Sequence, residues 1–130
     1  MAKKILLVDD DSDFQSAVKI VLEKSGYQCI ESRSAKQGLQ LYSKEHPDLI
    51  LLDVMMEDIG SGFRFAKKVR DMENRTAKAH TPILMVSSIQ KLTDLDFAER
   101  LGTSLLPVDS FLDKPVETDM LLQKIRTMLA

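Results

Sequence analysis

The sequence has few of the features that are typical of secreted proteins, of proteins stabilised by a structural metal, or of membrane proteins. Among its 130 residues are one cysteine, Cys29, and no tryptophan, which excludes an intrachain disulfide and a cysteine-based zinc site. No apolar run approaches the roughly 18 residues that cross a bilayer. The apolar run before Asp9 covers only residues 5–8, which is too short a stretch for a signal peptide. We therefore expect a cytoplasmic protein with one domain over residues 1–130 and no membrane anchor.

The chain also has little net charge. Its 18 basic and 20 acidic residues leave a formal charge of −2. DNA and anionic membranes are bound through an excess of Lys and Arg, so neither is expected as a direct partner. With five glycines, four prolines and no low-complexity segment, nothing in the sequence indicates a linker between domains.

Short apolar runs alternate along the chain with longer amphipathic segments, and the runs are typical of strands buried on both faces. The predicted strands are residues 5–8, 27–31, 49–52, 83–86 and 110–113. Helices are predicted after each strand: two that begin at capping boxes (Ser12 with Gln15, Ser34 with Gln37), then 63–72, 92–101 and 118–129. Parallel neighbouring strands need a crossover, so this order predicts an α/β protein, a (βα)5 three-layer sandwich with a parallel sheet.

Polar residues follow four of these strands directly. They are Asp9 and Asp10, then Asp53, then Ser87, and finally Lys114. In open α/β sheets the carboxyl ends of the strands form the ligand-binding edge, so these side chains are expected to converge there. Carboxylates about 4 Å apart repel by roughly 4 kcal/mol at an effective dielectric near 20. A cation among them would relieve this, and an all-oxygen site suits Mg²⁺.

Each residue by itself also has a simpler interpretation. An Asp after a strand is often only a turn former or a helix cap, and Ser87 could cap the segment that follows it. The joint placement after strands one, three, four and five favours a shared site. A metal ion, a lysine and a hydroxyl around one carboxylate are suited to a phosphoryl group.

Four ordered motifs give the chain its resemblance to a known family. The sequences ILLVDDD (5–11), DLILLDVMM (48–56), PILMVSS (82–88) and DKP (113–115) resemble those of the receiver domain of two-component response regulators. The resemblance implies a flavodoxin-like fold with strand order 2-1-3-4-5. It further implies that Asp53 accepts a phosphoryl group from the phosphohistidine of a sensor histidine kinase or phosphotransfer protein, with Mg²⁺ required.

The resemblance also implies a role for each residue of the site. Asp9, Asp10 and Asp53 would hold the metal together with the backbone carbonyl of Met55. Ser87 and Lys114 would bind phosphoryl oxygens, and Phe111 would be the aromatic residue that turns inward when Ser87 is drawn toward the phosphate.

Departures from the family pattern bear on the activity. Glu57 stands where the family commonly has proline, residues 102–108 lengthen the segment before the fifth strand, and Ser88 replaces a smaller residue. Met55 and Ile89 flank the site with apolar groups, which leads to the hypothesis that the phosphorylated form is long-lived.

The favoured interpretation is a phosphorylation-controlled signalling switch that catalyses only its own phosphorylation and dephosphorylation and is otherwise not an enzyme. Its expected partners are the kinase, a downstream target or output domain, and a second copy in a homodimer. One alternative is a degenerate receiver that acts as a phosphorylation-independent docking module. Another is a small Mg²⁺-dependent phosphatase, although Met55 stands where that class has a second Asp.

Overall fold

A computed structural model of the chain describes residues 2–53, 61–76, 80–87, 108–113 and 116–130. Five parallel strands form one sheet in the order β2-β1-β3-β4-β5. The strands are β1 (Lys4–Val8), β2 (Gln28–Ser32), β3 (Leu49–Asp53), β4 (Ile83–Ser87) and β5 (Ser110–Asp113). The order and the parallel direction confirm the predicted flavodoxin-like α/β fold.

Four helices lie within the described ranges. They are α1 (Ser12–Lys24), α2 (Ala35–Glu45), α3 (Ser61–Thr76) and α4 (Thr118–Leu129). The helix predicted over residues 92–101 falls outside those ranges. None of the helices in the described ranges combines the length and apolar character needed to span a membrane.

Side-chain alternation along the strands builds a separate core on each face of the sheet. In β1, Ile5 and Leu7 pack with residues of α1 and α4, while Leu6 and Val8 pack with residues of α2 and α3. Helices therefore cover both faces, which explains why the central strands carry apolar residues on both faces of the sheet.

Glycine allows α2 to lie close to the sheet. A Cβ atom at Gly38 would be 2.9 Å from the Phe65 ring and 3.2 Å from a methyl carbon of Val8. Ser34 is the N-cap of α2, as predicted, and its hydroxyl accepts a hydrogen bond from the backbone N–H of Gln37 at 3.1 Å.

The predicted cap of α1 is wrong. Asp11, not Ser12, is the N-cap, and its carboxylate accepts a hydrogen bond from the Phe14 N–H at 3.1 Å. Gln15 does not close a capping box, because its side chain is buried between α1 and the sheet. Moving the cap one residue earlier places it next to the acidic pair that ends β1.

Candidate functional site

The site lies at the carboxyl edge of the sheet, where β1 and β3 end side by side. Val8 pairs with Leu52 in the parallel register, so the next residues of the two strands, Asp9 and Asp53, are neighbours. Two residues earlier in each strand, Leu7 and Leu51 pack on the side of the sheet that α1 and α4 cover. Because side chains alternate between the two faces along a strand, Asp9 and Asp53 belong to that same side. The strand pairing therefore brings together two acids that are 44 positions apart in the sequence.

Three carboxylates meet at this edge. Asp9, Asp10 and Asp53 each place an oxygen within 4.8 Å of the others. Asp9 and Asp53 are only 3% and 7% exposed, whereas Asp10 is exposed. A half-buried group of like charges is unfavourable unless protons or a cation offset the repulsion. The cluster has a buried floor and an open side, through which a cation can enter.

The backbone holds Asp9 in place from two directions. Its N–H donates to the Ser32 carbonyl of β2 at 3.0 Å, and its Oδ1 accepts from the N–H of Asp11 at 2.9 Å. Asp11 in turn caps α1. The third residue of the DDD motif thus connects the start of α1 to the cluster, a role that sequence reasoning did not assign to it.

The donor set fits a magnesium ion. Hard cations such as Mg²⁺ prefer oxygen donors, and the three aspartates supply only carboxylate oxygens. Mg²⁺ is bound by one or two carboxylates and retains several waters. One exposed acid and two buried ones leave room for those waters on the solvent side, so the residues present match the ion that the sequence predicts.

Other predicted site residues are placed less completely. Ser87 is the last residue of β4, and its backbone pairs in register with Asp113. Phe111 pairs with Met85 and is partly buried against the core on the α2 and α3 side. The predictions for Met55, Lys114, Glu57, Ser88, Ile89 and residues 102–107 concern positions outside the described ranges.

A second polar cluster lies at the opposite, amino-terminal edge of the sheet. Arg70 donates to the carboxylates of Glu73 at 3.0 Å and Asp109 at 2.7 Å, and to the Thr81 carbonyl at 2.8 Å. Asp109 also contacts the exposed ring of His80, with 2.6 Å between His80 Nε2 and Asp109 Oδ1. The cluster ties the end of α3 to the starts of β4 and β5.

This cluster corrects an expectation from the sequence. In the sequence, Lys67, Lys68 and Arg70 together indicate a solvated helix face, but the Arg70 side chain is only 16% exposed. Lys67 and Lys68 are exposed, as predicted. The i,i+3 spacing of Arg70 and Glu73 was a signal for one of the contacts, whereas nothing local indicated Asp109.

Comparison with known proteins agrees with this geometry. The model of the response regulator receiver domain matches residues 5–126. This chain belongs to the response regulator receiver domain family. Over 129 residues the receiver is 26% identical to the polar-differentiation response regulator DivK of Brucella ovis, covering 99% of this chain and 98% of that protein. It is 29% identical over 128 residues to the protein PilH of Pseudomonas aeruginosa, covering 98% of each chain.

Solved structures show the same likeness. The chemotaxis response regulator CheY4 of Vibrio cholerae superposes on the receiver with a TM-score of 0.82 and 27% identity, covering 99% of this chain and 100% of that one. The response regulator receiver domain protein of Methanospirillum hungatei has a TM-score of 0.81 and 27% identity, covering 99% and 94%. Receiver domains are signalling domains of two-component systems, and response regulators work with histidine kinases or phosphotransfer proteins and with output partners.

Proposed function

We propose that this receiver is a phosphorylation-controlled switch in which Asp53 accepts a phosphoryl group from a phosphohistidine in a Mg²⁺-dependent reaction. The donor is a sensor histidine kinase or a phosphotransfer protein, and one domain over residues 1–130 carries out the reaction. The convergence of Asp53 with Asp9 and Asp10 at the carboxyl edge of the sheet is the observation that supports this most strongly.

Asp53 is the nucleophile in the proposed reaction. A carboxylate oxygen attacks phosphorus as the P–N bond to the histidine breaks, and the bonding electron pair remains on the ring nitrogen. The product is an acyl phosphate on Asp53. Mg²⁺, when bound, offsets the repulsion between the carboxylate and the incoming phosphoryl group and aligns the two. Asp9, Asp10 and Asp53 would hold the ion, with the Met55 carbonyl as a further ligand carried over from the family resemblance.

Two residues receive the added charge. Phosphorylation adds nearly two negative charges. In the proposal Lys114 pairs with one phosphoryl oxygen and Ser87 donates a hydrogen bond to another. Both assignments rest on the DKP and PILMVSS motifs, and the position of Ser87 at the end of β4, one strand from Asp53, supports the second.

The response to phosphorylation is proposed to reach the surface through Phe111. Movement of Ser87 toward the phosphate would open space on the strand that pairs with β5, into which the half-buried Phe111 ring turns. The changed face would then bind a downstream target, an output domain or a second copy of the chain.

Intact-mass analysis tests the phosphoacceptor directly. The purified chain is treated with acetyl phosphate and Mg²⁺, with parallel samples in EDTA. We expect the mass of one added phosphoryl group on the wild type, and none on Asp53→Asn or in EDTA. Asp71→Asn, which changes an exposed acid of α3, is the matched control and should react normally. Equal labelling of Asp53→Asn would reject the assignment, and no labelling of the wild type would favour the docking-module alternative.

A fluorescence experiment tests the switch separately. Because the chain has no tryptophan, Phe111→Trp introduces a single reporter. Its emission should shift when acetyl phosphate is added with Mg²⁺ and should not shift in the double variant that also carries Asp53→Asn. An unchanged emission in a fully phosphorylated sample would show that position 111 does not move.

A further inference from the structure

A groove lies on the outer surface between α2 and α3, the two helices that cover the same face of the sheet. Its volume is about 510 Å³, within the range of roughly 300–1,000 Å³ that is typical of ligand pockets. The apolar part of its lining, here called the floor, consists of Ala35 and Leu39 of α2 and Phe65 of α3. Phe65 is only 1% exposed and belongs to the core on this face, so the groove ends on the core and is open to side chains from outside.

Polar side chains form the two walls of the groove. Lys36 and Gln40 line it on α2, Arg64 and Lys68 line it on α3, and all four are exposed. Each pair has the i,i+4 spacing, so its members lie on one side of their helix, about 6 Å apart along the axis. Among the described residues, no acid lines the groove. The lining is therefore positive, in a chain whose formal charge is −2.

Two of these cations are not used by the fold. Within the part of the chain that the structure describes, neither Lys36 nor Lys68 forms an ion pair, whereas Lys4 and Lys19 each contact a glutamate. An unpaired lysine that faces only water is an ordinary surface residue, but these two flank an apolar floor. Cations beside an apolar surface are complementary to a ligand that is acidic and apolar at once.

The shape and the charge favour a protein segment over other anions. A small anion such as phosphate would pair with the lysines and leave the apolar floor in water. A bilayer surface is too flat to enter a groove, and duplex DNA is bound through an excess of Lys and Arg that this chain lacks. An amphipathic helix places its apolar residues in a groove at i, i+3 and i+4. Acidic residues one turn apart on such a helix match the spacing of about 6 Å on the walls.

We propose that the α2–α3 groove binds an acidic amphipathic segment of a partner protein. Apolar side chains of the segment cover Leu39, and its carboxylates pair with Lys36 and Lys68 on the two walls. Helix α2 packs on β1 and β2, whereas the proposed response to phosphorylation passes through Phe111 on β5, at the opposite edge of the sheet. We therefore expect the groove to bind its partner whether or not Asp53 is phosphorylated, so the inference does not rest on the proposed function.

Binding of designed peptides to the full chain tests the proposal. The main probe is a fluorescein-labelled amphipathic helix with leucines on one face and glutamates beside them. One further probe has lysine in place of glutamate, and another has serine in place of leucine. Fluorescence anisotropy should show binding of the main probe alone, weakened by added NaCl. In Lys36→Glu and in Lys68→Glu like charges would face each other, so we expect the affinity to fall at least about tenfold.

The controls keep the same chemistry outside the groove. Lys44→Glu changes an exposed residue of α2 that does not line the groove, and it should bind the main probe as the wild type does. Asp53→Asn should also bind normally. Nuclear magnetic resonance spectra of the isotope-labelled chain locate the peptide, and the backbone amide shifts should change in α2 and α3 and stay unchanged in α1 and α4.

Several results would overturn the proposal. These are no binding of the main probe, equal affinities of Lys36→Glu and Lys44→Glu, or a serine probe that binds as tightly as the leucine probe. Tighter binding of duplex DNA or of inorganic phosphate to the same residues would also overturn it, because the groove would then recognise phosphate. A chain that binds the main probe but is never phosphorylated would refute the proposed function and leave this inference standing.

Discussion

Charge removal at Asp53 should stabilise the metal-free receiver. Its carboxylate lies within 4.8 Å of those of Asp9 and Asp10, and two unit charges at that distance repel by roughly 3.5 kcal/mol at an effective dielectric of 20. Solvent around the exposed Asp10 weakens the repulsion between Asp10 and Asp53, and part of the repulsion persists in the unfolded chain. Asp53→Asn keeps the shape of the side chain and removes the charge, so we expect the free energy of unfolding in EDTA to rise by about 1–3 kcal/mol.

Magnesium should stabilise the wild type more than Asp53→Asn. A cation that binds the folded chain alone stabilises it in proportion to the logarithm of its concentration above the dissociation constant. The wild type offers three carboxylates to the ion, whereas Asp53→Asn offers two, so the gain on adding Mg²⁺ should be larger for the wild type. Urea unfolding followed by circular dichroism, in EDTA and over a series of Mg²⁺ concentrations, measures both quantities.

The control is the same substitution away from the cluster. Asp71→Asn should change stability by less than about 0.5 kcal/mol and should leave the response to Mg²⁺ intact. The electrostatic reasoning is refuted if Asp53→Asn is no more stable than the wild type in EDTA, or if Mg²⁺ stabilises both proteins equally.

Other predictions concern the scaffold. Arg70→Met removes the guanidinium that pairs with the carboxylate of Glu73, which is 6% exposed. The substitution should lower the free energy of unfolding by about 3 kcal/mol in a urea titration. A loss below about 0.5 kcal/mol would mean that the pair behaves as a surface salt bridge. Gly38→Ala should lower the thermal midpoint, because a Cβ 2.9 Å from the Phe65 ring costs about 1–3 kcal/mol and the helical preference for alanine returns only about 1. A more stable variant would contradict this. Burial raises the pKa of Cys29 from 9.0 to about 11, so iodoacetamide should react at pH 8 roughly a hundredfold more slowly with the folded chain than with the chain in urea. Equal alkylation rates for the folded chain and the chain in urea would show that the thiol is not protected. The raised pKa also means that the free energy of unfolding falls as the pH rises from 9 to 11, because the thiol ionises first in the unfolded chain.

Much of the fold could be predicted from local pattern. The apolar runs identified all five strands to within about a residue at each end. The predicted bounds of α4 agree with the structure. Phe65, Ala66 and Val69, whose spacing in the sequence places them on one face of a helix, are buried. Helix α3 is longer at both ends than its predicted range of 63–72, because its polar first and last turns lack the apolar spacing that marks a buried helix face.

The proposed site was predictable for a related reason. Strand ends can be read from the chain, and parallel strands place all their carboxyl ends at one edge. Asp9, Asp10 and Asp53 could therefore be grouped before any coordinates were known, and the structure brings the three together. The roles of Ser87, Lys114, Met55 and Phe111 stay predictions, carried by the family motifs.

What the sequence by itself determined is the order of the elements, the two-sided burial of the central strands and the edge at which the acids meet, because each follows from hydrophobic period and strand direction. Only the tertiary structure decided the partners of side chains whose contacts are distant in the chain. In the sequence Gln15 has the spacing of a capping residue, but in the structure its buried amide binds the Ser32 carbonyl. Arg70 has the sequence context of a surface charge, but it donates to Asp109, 39 residues away. A polar side chain is as compatible with solvent as with a buried partner, so its sequence neighbours do not decide between the two; the packing of helix on sheet does.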